Sequence, residues 1–214
     1  MGSRFSEQKR RHRLARGVLV AAVLAYAAVR IGFLYVGLQM ASTASLRETV
    51  DQYSGLLKAV DELLVLSAVL GGWAFYNARG SRVRNGRTLT GLAAASFALM
   101  MIGWLVIALG TGRLVYPVNG LSVVADDGLQ AALAGIYGAW HLYDIMLGVF
   151  MIVWAGLLSR PLWKYSGAAI GLAQILSTYF GQPVKPIPML VAIALSTAWL
   201  LTRGVSSGAP QPEP

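Results

Sequence analysis

The chain has 214 residues, of which 56% are hydrophobic and only 13% charged, with a mean hydropathy of +0.59. Soluble domains carry about 25% charged residues, so a water-soluble enzyme with an ordinary surface and a disordered chain are both excluded. The formal charge is +9, from 18 Lys and Arg against 9 Asp and Glu. There is no Cys, which removes disulfides, thiolate catalysis and Cys-bound metals. With only His12 and His141 present, a haem held by two intramembrane His and a three-His zinc centre are also excluded.

An apolar run of about 18 residues can cross a bilayer as a helix. Six candidate spans follow in chain order: Gly17–Ala41, Gly55–Ala78, Thr90–Gly110, Ala134–Leu158, Tyr165–Phe180 and Ile187–Leu201. The last two are short and are separated by Gly181-Gln182-Pro183-Val184-Lys185-Pro186, which predicts a tight helical hairpin. Residues 1–16 form a basic segment and residues 204–214 a Ser/Pro/Gly-rich tail expected to be disordered. The fold class expected is therefore all-α, a polytopic bundle of six spans.

Orientation follows from Lys and Arg, which are retained on the cytoplasmic side. With the amino terminus inside, the inside segments carry 13 of them and the outside segments 4, with Arg30 left inside the first span. The bias predicts that both termini are cytoplasmic, in a bacterial plasma membrane. It also accounts for the net charge, so nucleic acid is not an expected partner. The bilayer is, and Lys9, Arg10, Arg11 and Arg13 form a cluster suited to anionic lipid head groups as well as to fixing topology. The first span is longer than a signal-peptide core, although Ala41-Ser42-Thr43-Ala44 supplies the small residues of a cleavage site. Trp73, Tyr76, Trp154, Trp163 and Trp199 near the inner interface, and Tyr35, Tyr137 and Trp140 near the outer one, read as anchoring belts.

Two helices are expected to overrun the membrane. Ser45-Leu46-Arg47-Glu48 fits a capping box, and a helix over Leu46–Ala78 follows, with Arg47 and Asp51 paired one turn apart and Gly55 as its expected break. Asp127-Gly128-Leu129-Gln130 fits a second box, opening a helix over Gly128–Leu158. Between them, Leu114–Val124 contains Asn119-Gly120 flanked by apolar residues, a hairpin signal weakened by Pro117 to an edge strand or a loop lying over the bundle. The series Gly55, Lys58, Asp61, Leu64 matches Gly138, His141, Asp144, Leu147, a weak internal repeat of basic-then-acidic spacing.

Ionisable side chains inside a span are costly and are paired or functional. At about 1.5 Å rise per residue, Arg30 and Asp144 lie roughly 20 Å from the inner end and Asp61, Glu62 and His141 roughly 24–25 Å from it. Lys58 is closer to the outer surface and can extend to it. Arg30 does not readily lose its proton, so it is expected to pair with Asp144, Glu62 or both. Three readings follow. In the first, Arg30, Asp61, Glu62, His141 and Asp144 line an outward-facing cavity that binds or moves a small polar solute or protons. In the second, the charges form a structural cluster in a non-catalytic membrane scaffold or accessory subunit. In the third, His141 and Asp144 with Glu62 hold a metal in a membrane enzyme.

No nucleotide-binding loop, Gly-x-Ser-x-Gly elbow or His-Glu-x-x-His motif occurs, so neither a reaction nor an organic cofactor is indicated. Ser196, Thr197, Ser177, Thr178 and Gln174 are expected to hydrogen bond between helices. Gly167 and Gly171 form a GxxxG pair that predicts close packing, either within the chain or with another subunit, so a homo-oligomer or a membrane-protein partner is open.

The layout resembles a family of uncharacterised six-span bacterial integral membrane proteins known only as a domain of unknown function. The resemblance lies in Lys58-Ala59-Val60-Asp61, Asp127-Gly128-Leu129-Gln130-Ala131, His141-Leu142-Tyr143-Asp144 and the basic turn Ser159-Arg160-Pro161-Leu162-Trp163, over roughly residues 17–181. It implies a six-span fold and carries over no activity; Arg30 is not one of its marks.

Overall fold

The computed structural model describes residues 2–42, 45–80, 87–117, 126–158, 160–180 and 186–203, all of it helix and connecting turns. Seven helices occur among the described residues: α1 (Gly2–Ser42), α2 (Leu46–Gln52), α3 (Ser54–Gly80), α4 (Arg87–Val115), α5 (Asp126–Gly156), α6 (Pro161–Phe180) and α7 (Ile187–Arg203). Three regions, Gly17–Ala41, Arg87–Val115 and Asp127–Gly156, are long and apolar enough to cross a membrane.

Local chemistry explains most helix ends. Ser45 caps α2, its Oγ accepting from the Glu48 N–H at 3.3 Å, as the capping box predicts. The break after α2 comes at Tyr53, two residues before the expected Gly55. Tyr53 has φ −101° and ψ 15°, a conformation open to any side chain, and its N–H still bonds to Thr49 O while its own carbonyl accepts from Leu57 N–H. No glycine is needed there, and the Tyr53 ring stands edge-on to Tyr35 of α1 at 5.7 Å. At the start of α5 the expected cap, Asp127, lies inside the first turn, where its carboxylate meets the positive end of the helix dipole. The start of α6 is set by Pro161, whose fixed φ and missing N–H suit a first helical position. It precedes the expected start at Tyr165 by a full turn. Helix α4 also overruns the expected end at Gly110, reaching Val115 just before Pro117. The expected hairpin or lid falls largely on residues 118–125, and the connection 181–185, the possible cleavage residues Thr43 and Ala44 and the tail 204–214 likewise lie outside the described residues.

Helix α1 continues through the basic segment. Its 41 residues extend about 60 Å, twice the thickness of a hydrocarbon core, so one end carries the Lys/Arg cluster well past the apolar stretch. The side chains of Lys9, Arg10, Arg11 and Arg13 lie outside the described residues.

The six long helices form a closed ring. Each packs on its chain neighbour, α1 on α3, α3 on α4, α4 on α5, α5 on α6 and α6 on α7, and α7 closes against α1. Helices α1 and α5 face each other across the middle through their side chains: Phe33 meets Tyr137 and Trp140, and Tyr26 meets Tyr143, with ring centroids 5.6–5.7 Å apart. Trp104 of α4 inserts between them, 4.6 Å from Tyr143 and 5.7 Å from Trp140, and donates its indole N–H to Leu64 O of α3 at 2.6 Å. The outer wall is apolar: Leu24 and Ile31, Val65 and Val69, Ile102 and Leu105, Leu142, Leu172 and Leu176, and Val191 and Leu195 are all exposed.

Backbone approach is closest at the α5–α6 contact. A Cβ on Gly171 would lie 2.6 Å from Gly148 O, and one on Gly148 would lie 2.5 Å from Gly171 O. A Cβ on Gly167 would collide with Trp199 and Ala155. The GxxxG pair is therefore spent inside the chain, against α5 and α7. The aromatic belt is corrected in part. Trp73, Tyr76 and Tyr35 are exposed, but Trp140, Trp154 and Trp199 are buried in the ring interior. Distance along the chain places a residue at a depth; it does not say which face of its helix turns inward.

Candidate functional site

The polar centre is built on Arg30 and Asp144. Arg30 is 4% exposed and Asp144 1%, and Arg30 Nη2 donates to Asp144 Oδ2 at 2.7 Å. The pairing with Asp144 is the one expected; Glu62 takes no part in it. The other carboxylate oxygen, Oδ1, accepts from Gln174 Nε2 of α6 at 3.0 Å. Gln174 in turn accepts at Oε1 from Ser196 Oγ of α7 at 2.9 Å. The guanidinium carbon lies 4.1 Å above the Trp140 ring, and Nη2 also meets Met189 Sδ at 3.3 Å. Four helices, α1, α5, α6 and α7, thus meet in one chain of hydrogen bonds.

The residue types suit this arrangement. An arginine stays charged in any accessible environment, and a buried charge is tolerated only beside a counter-charge with its remaining bonding positions filled. Both Asp144 oxygens are occupied, and the indole face offers negative quadrupole charge to the cation. Arg30 Nε is buried without a hydrogen-bond partner, and the Tyr26 hydroxyl, buried one turn below on α1, lies within the field of Arg30 and Asp144.

His141 is half-buried one turn from Asp144 and joins α6 instead: its Nδ1 is 2.8 Å from Thr178 Oγ1, and the Tyr179 ring stands edge-on at 4.9 Å. Asp61 and Glu62 turn toward α4. A Cβ on Gly112 would lie 3.3 Å from Asp61 Oδ2, and Asp61 Oδ1 is buried without a partner. Glu62 is exposed and accepts from the Tyr116 hydroxyl at 3.4 Å, while Lys58 Nζ lies 5.5 Å from the centre of the same ring. Partial desolvation, then the carboxylates of Glu62 and Asp61, push the Tyr116 phenol above its ordinary value of 10, so it remains a donor at neutral pH.

The five expected site residues therefore divide into three places: Arg30 with Asp144 in the centre, His141 at the α5–α6 seam, and Asp61 with Glu62 at the α3–α4 seam. Among the described residues no three His, Asp or Glu side chains are gathered where they could hold a metal ion, so His141, Asp144 and Glu62 do not form a ligand set. The two halves of the apparent repeat also differ, since Asp144 is buried and paired while Asp61 is half-exposed and has no ion pair among the described residues.

Gln174 and Ser196 were legible only as interhelical bonders, because neither is charged and neither belongs to a motif. Ser177 bonds to Gln174 O within its own helix, and Thr197 Oγ1 is buried without a partner. Trp140 and Met189 carried no sequence signal for this role. No protein-family model matches the chain, and neither a curated protein nor a solved structure is significantly similar to it.

Proposed function

We propose that this protein is a six-span bacterial plasma-membrane protein with both termini cytoplasmic, acting as a non-catalytic scaffold or accessory subunit, in which the central charges hold the helices together. The observation that carries this reading is the state of the pair: Arg30 and Asp144 are buried, bonded to each other, and Asp144 has no free oxygen. A carboxylate that binds and releases a cation or a polar donor needs a free oxygen, which Asp144 lacks, although Arg30 Nε is left without a partner. Exposed apolar side chains on α3, α6 and α7, beyond the three helices long enough to span, support the six-span count, since a surface of this kind in water would drive aggregation. The Lys/Arg asymmetry supports the orientation, and the resemblance to uncharacterised six-span proteins belongs to the same reading.

The test is a pair of variants, Arg30→Leu and Asp144→Asn, with their combination. A structural pair requires that each single change lowers the yield of folded protein and that the double change restores part of it.

The second reading, binding or movement of a small polar solute or of protons from the outer side, is favoured by the other seam. There Asp61 Oδ1 is buried and unbonded beside exposed Glu62 and Lys58. Proteoliposomes that pass protons or cations, and lose this with Asp61→Asn while folding normally, would establish it over the scaffold reading.

A further inference from the structure

The charged residues sort by end of the ring. Gly112 of α4 approaches Asp61 of α3, and Trp104 bonds to Leu64, so α3 and α4 run antiparallel. Gly110 meets Ile136 and Gly156 meets Leu89, so α4 and α5 do so too. Gly171 meets Gly148 and Gly167 meets Ala155, which sets α6 antiparallel to α5. Ser67 bonds to Ala22 O, and a Cβ on Gly32 would touch Val60, which sets α1 antiparallel to α3. The amino-terminal part of α1, the start of α4, the end of α5 and the start of α6 therefore share one end of the ring. The acidic residues Glu48, Asp51, Asp61, Glu62 and Asp127 lie at the other end, and Asp144 lies in the centre. Apart from Glu7, in the projecting basic segment of α1, the helices carry no acid at the first end. Arg87, Arg160 and Lys164 stand exposed there, and none forms an ion pair among the described residues.

These three cations are also neighbours. The Lys164 N–H bonds to Arg160 O at 3.1 Å, one turn along α6. A Cβ on Gly156, four residues before Arg160, would lie 3.6 Å from Leu89 Cδ1, two residues after Arg87. Beside Arg160 and Lys164, Leu162 and Tyr165 are each 71% exposed. Topology accounts for which side retains Lys and Arg, but it leaves their charge to be neutralised once the helices are in place. Cations without a counter-charge next to bare apolar side chains match a partner with both features. The phosphate of a lipid head group accepts from arginine and lysine, and its acyl chains cover the apolar residues. We infer that Arg87, Arg160 and Lys164 form a binding site for the head group of an anionic phospholipid, with its chains along Leu162 and Tyr165. This rests on the plasma-membrane placement proposed for the chain, and it holds for a scaffold and for a transporter alike.

Native mass spectrometry of the purified full chain in detergent counts bound lipid and tests the site. Dioleoyl phosphatidylglycerol and dioleoyl phosphatidylcholine share their acyl chains and differ in head-group charge, and each is titrated separately. The first phosphatidylglycerol is expected to bind more tightly than phosphatidylcholine. Arg160→Ser and Lys164→Ser are each expected to weaken it about fivefold and to leave phosphatidylcholine unchanged. Arg87→Ser, on a different helix, is expected to act equally, and it decides should the α6 variants not fold. Lys58→Ser removes an exposed cation at the opposite end and is expected to alter neither lipid. Equal affinity for the two lipids in the native chain would overturn the proposal. So would a preference for phosphatidylglycerol that survives Arg160→Ser combined with Lys164→Ser; its loss on changing Lys9, Arg10, Arg11 and Arg13 to Ser would then place the lipid on the amino-terminal segment. Displacement of the lipid by inorganic phosphate would overturn it too, because the site would take a free anion. Binding in detergent does not depend on orientation, so a failure of the membrane placement shows separately, in cysteine labelling of intact cells.

Discussion

Arg30 and Asp144 stand 114 residues apart in the chain and 2.7 Å apart in the fold, at the middle of a ring of six helices. Their pairing holds α1 against α5 across the centre, where the two backbones approach mainly through long side chains. Removing one partner leaves the other as an uncompensated buried charge, so Arg30→Leu or Asp144→Asn is expected to cost about 3–5 kcal/mol. The double variant is expected to recover a good part of that. Thermal unfolding of the four proteins in one detergent measures the coupling; additive losses would show that the pair does not act as a unit.

Gln174 bridges the carboxylate of Asp144 and the hydroxyl of Ser196 and is fully buried. Gln174→Leu strands both groups and is expected to destabilise by about 3 kcal/mol, against about 1 kcal/mol for Ser196→Ala, which removes one neutral bond. Combining them is expected to cost little more than Gln174→Leu alone, since the Ser196 bond is already lost.

Glycines of similar appearance in the sequence are expected to respond oppositely. Gly171→Ala pushes a methyl into the Gly148 carbonyl, and since backbone cannot yield there, a loss of about 2–3 kcal/mol is expected. Gly138→Ala, on α5 with no atom within 4 Å of the added carbon, is expected to be neutral or to stabilise by up to about 1 kcal/mol through helix propensity. Melting temperatures of the two variants, shifting in opposite directions, are the readout.

The Arg47–Asp51 pair is close, at 2.8 Å, but both side chains are substantially exposed. Asp51→Asn is expected to change stability by less than about 0.5 kcal/mol, and less still in high salt. Ser45→Ala, which removes the cap of α2, is expected to cost about 1 kcal/mol. Melting the two variants at low and high salt tests both statements.

The absence of native Cys makes topology directly measurable. Single substitutions Ser45→Cys and Asp127→Cys are expected to react with an impermeant maleimide in intact cells. Arg87→Cys and Arg160→Cys are expected to react only after permeabilisation. The reverse pattern would invert the orientation, and labelling of Asp127→Cys and Arg160→Cys from one side would break the six-span count.

By itself the sequence determined the helical class, the presence of stretches long and apolar enough to cross a membrane, and the approximate position of each long helix, although α1 runs on through the basic segment. These depend on local quantities: apolar run length and Ser45 at a cap. It also placed Arg30 and Asp144 at matching depth, because rise per residue is constant, and that was enough to anticipate their pairing. What it left open was azimuth, the direction in which each side chain leaves its helix relative to the ring. Only the tertiary structure turned Asp61 and Glu62 toward α4, sent His141 to Thr178, brought uncharged Gln174 and Ser196 into the centre, and drew Trp140, Trp154 and Trp199 out of the expected belt. A membrane helix that is apolar all round gives no moment from which to read its inward face. That choice is made by close packing, here by Gly148 against Gly171 and by the aromatic rings between α1 and α5, and packing belongs to pairs of helices rather than to any one segment.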